Sequence, residues 1–434
     1  MWMFSRGRIL PSYIYWLCLG FIFFYISLVP YRYLGSIDSA LFGRFAWLLA
    51  WLPSIISVAL FSFLVIDPRF NILCRNTVAR ITVFILGAGV LGAFGSLDPL
   101  GSLSREVYYF ISGPFFGGIA FVIGFGQRQH IRYFLVLMFS VSVVVSFYGV
   151  IEFLLNENIF WDRIFSFENM SYRSFADDVP LFGSRILSTL GHPVYLGAYL
   201  VLSLPLGGVL FYSGSRVTRI LAVFGILLVI VALVLTFSRG SWLSVIFTCL
   251  ASVFYLRKNR LITVRLFPIA IALFCVFILL FSFDKVREAF HDRGTLKQIE
   301  SIENDPRIRA YSYSVNVLLI QPVWGVGTGQ YGSWAIRFGD NDNTPDNMYL
   351  RTLAEKGMLG FILFLYLITR VLTLIRSKLY RFCTKRSEVF FLGCSIIGFC
   401  SNMITCDALN FSVLRIMFWL LIGFSVALLS DESP

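Results

Sequence analysis

The stretch Thr236-Phe237-Ser238-Arg239-Gly240-Ser241-Trp242 stands between two apolar segments with almost no loop between them. A guanidinium at such a boundary is costly unless it snorkels or finds a partner. Its planar fork suits paired phosphate or diphosphate oxygens, so Arg239 is a candidate anion binder; the plainer alternative is a snorkelling residue that marks topology. A second candidate is His192 in Gly191-His192-Pro193. Proline holds the residue before it extended, which puts His192 in a turn leading into the next span, as a structural hydrogen bonder or as part of a site.

The polar segment 284–356 holds further candidates. Asp305-Pro306 reads as an N-cap with proline at the first helical position. Ile308, Tyr311, Val315, Leu318 and Leu319 then recur at helical spacing, an apolar face expected against the bundle or the membrane interface, with Arg307 and Arg309 flanking it. After Gln321-Pro322 comes Gly325-Val326-Gly327-Thr328-Gly329-Gln330-Tyr331-Gly332, without the Lys-Ser/Thr of a nucleotide P-loop. It reads as a tight connection that lets backbone approach a ligand. Asp340, Asp342 and Asp346 lie in an acidic patch lacking the glycine and distal glutamate of an EF-hand. Thr344-Pro345 is expected to start a helix ending at Gly357, with Asp346 and Asn347 in its first turn near the positive end of the dipole. Asp346 is either a cap or a catalytic carboxylate.

Around these lie the elements that must position them. The chain has 434 residues, 58% hydrophobic and 14% charged, with a mean hydropathy of +0.79, outside the range of soluble domains. A bilayer core takes about 20 apolar residues per helix. The expected fold is an all-α polytopic membrane protein of about 12 transmembrane helices, near 11–29, 46–66, 81–97, 107–126, 131–155, 194–213, 218–237, 241–257, 264–283, 357–376, 388–406 and 411–430. Residues 1–283 then hold spans one to nine with an outer loop at 156–193. Residues 284–356 form a large extracytoplasmic loop with amphipathic helices between spans nine and ten, and 357–434 hold spans ten to twelve. The first span follows Arg6 and Arg8, but its length and the lack of a small-residue cleavage site read as a retained span rather than a signal peptide.

Cytoplasmic loops retain Lys and Arg. With the N-terminus inside, the inner segments hold Arg69, Arg75 and Arg80, Arg128 and Arg132, Arg216 and Arg219, Arg257 and Lys258, and Arg376 to Arg386, whereas the short outer loops hold Arg32, Arg44, Arg105 and Arg239. Both termini are therefore expected in the cytoplasm and both long polar segments outside. The net charge of +12 is largely this topology signal, with a share available to anionic membrane lipids, and does not call for nucleic acid. None of the eight cysteines lies in 156–193 or 284–356, and no CxxC pair occurs, so neither a disulfide framework nor a metal site is expected.

Taken in order, Arg185, Gly191-His192-Pro193, Ser238-Arg239-Gly240, Arg309, Pro322 with Gly325-Val326-Gly327, and Asp346-Asn347 followed by Gly357 and Gly360 resemble the O-antigen ligase and polymerase superfamily, bacterial enzymes that transfer lipid-linked glycans. The resemblance covers about 180–362. In the ligase branch the residue before the matching asparagine is usually histidine; here it is Asp346, as in polymerase-like members.

The resemblance implies an extracytoplasmic glycosyltransferase of the bacterial inner membrane. Its donor is a polyprenyl-diphosphate-linked oligosaccharide and its acceptor a glycan or glycolipid hydroxyl. It also implies a chain-length regulator and a flippase as partners, no cofactor and no metal. On that footing Arg185, Arg239 and Arg309 hold the diphosphate, Asp346 handles the acceptor hydroxyl and His192 is the competing base. Polymerisation of repeat units is the leading expectation and ligation to lipid A-core the alternative. A transporter or flippase is more distant, with binding residues expected near the midplane; Arg370, inside the tenth span, is the residue that favours it, against a snorkelling role.

Overall fold

The computed structural model describes residues 67–155, 185–258, 306–338, 345–381 and 387–430, with isolated positions at 20, 55, 58, 62 and 65. Every regular element among them is helical, as the composition requires. In chain order these are α1 (Pro68–Arg75), α2 (Thr77–Phe94), α3 (Pro99–Ile111), α4 (Pro114–Gly124), α5 (Arg128–Leu155), α6 (Pro193–Ser203), α7 (Gly207–Ser213), α8 (Arg216–Leu235), α9 (Arg239–Lys258), α10 (Pro306–Ile320), α11 (Tyr331–Ala335), α12 (Met348–Arg381), α13 (Ser387–Asn402) and α14 (Ser412–Ser430).

Seven stretches of the described residues are long and apolar enough to cross a membrane, among them Pro99–Gly124, which joins α3 to α4, and Pro193–Tyr212, which joins α6 to α7. The chain is a multi-pass membrane protein. The helices α9 and α13 cover the expected spans 241–257 and 388–406, although α13 stops at Asn402. The expected spans 11–29, 46–66 and 264–283, most of the outer loop 156–193 and the beginning of 284–356 lie outside the described residues.

The helix α14 is apolar on every side apart from Arg415 and its serines, and almost every residue of it is buried, as expected of a helix at the centre of a bundle. It packs along α4, while α2 packs on α12, α8 on α5 and α9 on α13. Proline 205 lacks an N–H to continue the ladder, and a 3₁₀ turn at Leu204–Leu206 replaces α-helix there.

The polar segment has a small core of its own, built from Val317, Val326, Tyr331, Ala335 and Ala354. The inward face of α10 is Ala310, Ser314 and Val317, whereas Val315 and Leu319 are exposed. The expected apolar stripe therefore looks away from the bundle, and the face with small residues turns in. Only that face lets Tyr331 fill the gap, its hydroxyl donating to Ala310 O at 3.1 Å.

The glycine-rich connection is bonded to backbone at the break in α12. Helix α12 is broken at Gly357, which adopts φ +64°. Val326 N and Gly327 N donate to Ala354 O and Glu355 O, each at 3.0 Å, and Met358 N donates to Pro322 O at 2.9 Å. The connection thus satisfies the orphaned carbonyls of the first half of α12 and an orphaned amide of the second, an obligatory requirement inside a membrane. Gly325 and Gly357 both have positive φ, and a Cβ on Gly357 would lie 2.3 Å from Val323 O. Gly357→Ala is expected to cost about 1–3 kcal/mol, seen as a lowered melting temperature of the solubilised protein; an unchanged transition would mean that the break is not locked in this way.

Candidate functional site

The α8–α9 turn is held from several sides. Thr236 Oγ1 donates to Leu233 O at 2.7 Å and accepts from Ser238 N at 3.2 Å, and Trp242 Nε1 donates to Leu233 O at 3.0 Å. Ser238 and Ser241 share a hydroxyl hydrogen bond at 3.0 Å, and Asn402 Nδ2 donates to Ser241 Oγ at 3.0 Å. Phe237, at φ +48°, is buried in the bend. The segment after the outer loop runs along the same turn: Ile186 N donates to Leu235 O and Arg185 Nε to Thr236 O at 2.8 Å. Buried Glu152 on α5 fixes that segment further, accepting from Leu187 N and Ser188 N.

These ties bring Arg185 and Arg239 to one hollow of about 60 Å³, lined also by Val194, Phe237, Ser238, Gly240 and Thr405. Among the described residues its lining includes two guanidinium groups and no carboxylate. Gly240 belongs to the first turn of α9 and Val194 to the first turn of α6, so two helix N-termini border the hollow. Helix amides and dipoles add to the positive field. The arrangement suits an anion with several oxygens.

His192 caps α6, its Nδ1 accepting from Val194 N at 3.3 Å, and its ring packs on Tyr195. The expected turn before a span is present. An accepting Nδ1 places the proton of the neutral ring on Nε2.

Asp346 and Asn347 are arranged differently from the expectation. Helix α12 starts at Met348, because Asn347 Oδ1 accepts from Tyr349 N at 2.9 Å and Leu350 N at 3.1 Å. Asn347 is thus the N-cap, and Asp346 precedes the helix instead of lying in its first turn. Met348 N donates to Met403 O at 2.9 Å. This ties the start of α12, two residues after Asp346, to the α13–α14 connection, which two residues later contributes Thr405 to the arginine hollow. The positive-φ residues other than glycine among the described residues are Ser188, Phe237 and Asp346. All three flank the motifs above, and such backbone costs about 1–3 kcal/mol and gathers at functional sites. Arg309 is exposed on α10 and does not line the hollow.

The structure adds a buried ionic network that reading the sequence missed. Asp407 accepts from Arg351 Nη1 at 2.7 Å, Tyr195 OH at 2.9 Å and Asn410 Nδ2 at 3.3 Å. Arg351 Nε also meets Glu355 Oε1 at 3.1 Å. Nearby, Lys356 Nζ sits 2.6 Å from Glu106 Oε1, and Thr328 donates to Glu106 Oε2. Arg415 Nε donates to Ser112 Oγ at 3.0 Å, with its guanidinium over Tyr109. Glu106 and Arg415 could have been found as charges inside apolar segments. Their partners could not. Arg370 lies farther along α12 and lines neither this cluster's cavity nor the hollow. No group of three or more His, Cys, Asp or Glu able to hold a metal occurs among the described residues.

No curated protein matches the chain. Residues 224–365 match a family model described as O-antigen ligase. The matched stretch contains Arg239, Arg309, the glycine-rich connection, Asp346-Asn347 and Arg351; Arg185 and His192 precede it, and Asp407 and Arg415 follow. Over residues 224–365, less than half of the chain, the sequence is thus similar to the O-antigen ligase family.

Proposed function

We propose that the protein is an extracytoplasmic-face glycosyltransferase of the bacterial cytoplasmic membrane that polymerises lipid-linked repeat units. The observation that carries this reading is the shared hollow of Arg185 and Arg239, bordered by two helix N-termini. The acceptor hydroxyl oxygen attacks the anomeric carbon of the donor. As that bond forms, the bond from the anomeric carbon to the diphosphate oxygen breaks, and its electron pair leaves with the diphosphate.

Preorganised guanidinium groups aimed at this developing charge stabilise the transition state. The Asp346 carboxylate takes the hydroxyl proton. It is preferred over His192, whose Nδ1 is engaged in capping. Arg309, outside the hollow, is assigned to the donor beyond its innermost phosphate. Both termini are placed in the cytoplasm by the charge bias, and a flippase and a chain-length regulator act beside the enzyme.

Ligation to lipid A-core uses the same donor and is the second reading, favoured by the description of the matched family model. A clean deletion of the gene separates the two by the glycan that accumulates. Single repeat units on lipid A with long chains gone are expected for a polymerase. Long glycan retained on the polyprenyl carrier would replace polymerisation by ligation, and unchanged glycan would overturn both.

A further inference from the structure

Two hydroxyl groups line the arginine hollow, those of Ser238 and Thr405, and the direction of their hydrogen bonds separates them. Asn402 Nδ2 has hydrogens and no lone pair to offer, so at 3.0 Å it donates to Ser241 Oγ. Among the described residues Ser241 Oγ has one other partner, Ser238 Oγ at 3.0 Å. Ser241 is fully buried, and a buried hydroxyl whose hydrogen finds no acceptor costs free energy. That hydrogen therefore goes to Ser238 Oγ, since in the opposite sense Ser241 would accept twice and donate to nothing. The Ser238 hydrogen is left over. Ser238 is itself 5% exposed, no acceptor among the described residues takes its hydrogen, and the open space beside it is the hollow.

Thr405 is arranged the other way. Its hydroxyl donates to Asn402 O at 3.2 Å, which leaves it lone pairs and no hydrogen for an anion. It serves as a wall: a Cβ on Gly240 would run into Thr405 Oγ1, so the glycine lets the α13–α14 connection close against the first turn of α9. In that turn Ser238 stands where an N-cap would, yet its side chain bonds to Ser241 Oγ and not to an amide. The first amides of a helix have no partner within it, and no acceptor among the described residues takes the Gly240 N–H. It is a second donor at the border of the same hollow.

We propose that the Ser238 hydroxyl is a ligand of the substrate phosphate, donating to one of its oxygens beside Arg185 and Arg239, with the Gly240 amide next to it and Thr405 as a wall. The inference rests on the transfer reading above and deepens it. The guanidinium groups supply charge, whereas a hydroxyl whose hydrogen is aimed before the ligand arrives needs no reorientation as charge develops. The aim is set from a distance along the chain: Asn402 on α13 fixes Ser241, and Ser241 fixes Ser238.

The test is the affinity of the purified full chain for undecaprenyl diphosphate, with the melting temperature taken on the same samples. Ser238→Ala is expected to weaken binding about tenfold or more, the scale of a hydrogen bond to a charged group. Ser238→Cys, close in size but with a weak S–H donor, is expected to follow it and serves if the alanine variant does not fold. Ser241→Ala breaks the same serine–serine bond but keeps the Ser238 hydroxyl, so it should lower the melting temperature at least as much and weaken binding by about threefold at most. Thr405→Val keeps the wall, and its loss should likewise stay within about threefold. Weakened binding in Arg239→Ala with wild-type binding in Ser238→Ala and Ser238→Cys would overturn the Ser238 ligand and leave the transfer reading standing. Losses in Ser241→Ala or Thr405→Val as large as in Ser238→Ala would overturn it too. No binding by the wild type, or binding that Arg239→Ala leaves untouched, would overturn the transfer reading and the ligand assignment with it.

Discussion

Alanine at position 239 is expected to lower glycan transfer by about 10²-fold or more, the scale seen when one preorganised donor to developing charge is removed. The side chain is exposed at the mouth of the hollow. Exposed substitutions away from caps and networks usually change stability by no more than about 0.5 kcal/mol, so the loss should appear in the rate and not in the amount of folded protein. Arg239→Lys keeps the charge but not the paired geometry and should fall between the alanine variant and the wild type. The measurement is transfer by purified enzyme from a synthetic lipid-linked repeat unit, with membrane levels checked in parallel. The same assay in excess chelator is expected to leave the wild-type rate unchanged, because the arginines supply the positive charge at the leaving group. A rate for Arg239→Ala close to wild type would remove the arginine hollow from the chemistry, and loss in chelator restored by magnesium or manganese would remove the metal-independent mechanism.

Arg351→Met is expected to be the most destabilising single change, by about 3–5 kcal/mol, because it leaves two carboxylates buried without their cation. Asp407 and Glu355 are both buried, and Arg351 bridges them from the first half of α12 to the α13–α14 connection. The loss should appear as a lowered melting temperature and reduced yield of folded protein. Adding Asp407→Asn and Glu355→Gln to Arg351→Met should recover much of it, since the neutral groups no longer need a cation. A melting temperature for Arg351→Met equal to wild type would show that the bridge carries no stability. Recovery by the triple variant without recovery of activity would place Arg351 among the groups that position substrate as well.

Much of the architecture was legible in the chain because membrane helices are announced by local composition. An apolar segment such as 412–430 needs no partner information to be read as a span, and the proline and glycine punctuation around Gln321-Pro322 and Gly357 marked real element ends. Single candidate residues stood out for the same reason: Arg239 between two apolar segments is a local signal. Their partners did not. The start of α12 was read three residues early because Asn347, not Thr344, supplies the capping oxygen, and capping is decided by side-chain direction. The glycine-rich connection was read as a tight connection, and the backbone it approaches, the break in α12, was not legible because it lies far along the chain, at Gly357.

By itself, then, the amino-acid sequence determined the class of protein, the helical segments and the residue types that could meet a phosphate, since each depends on neighbours along the chain. The tertiary structure alone decided which distant residues share a site. It set Arg185 with Arg239, left Arg309 outside, and paired Glu106 with Lys356 and Arg351 with Asp407. The reason is physical: a charge within an apolar segment requires compensation wherever it lies, but what compensates it is settled by how the helices pack.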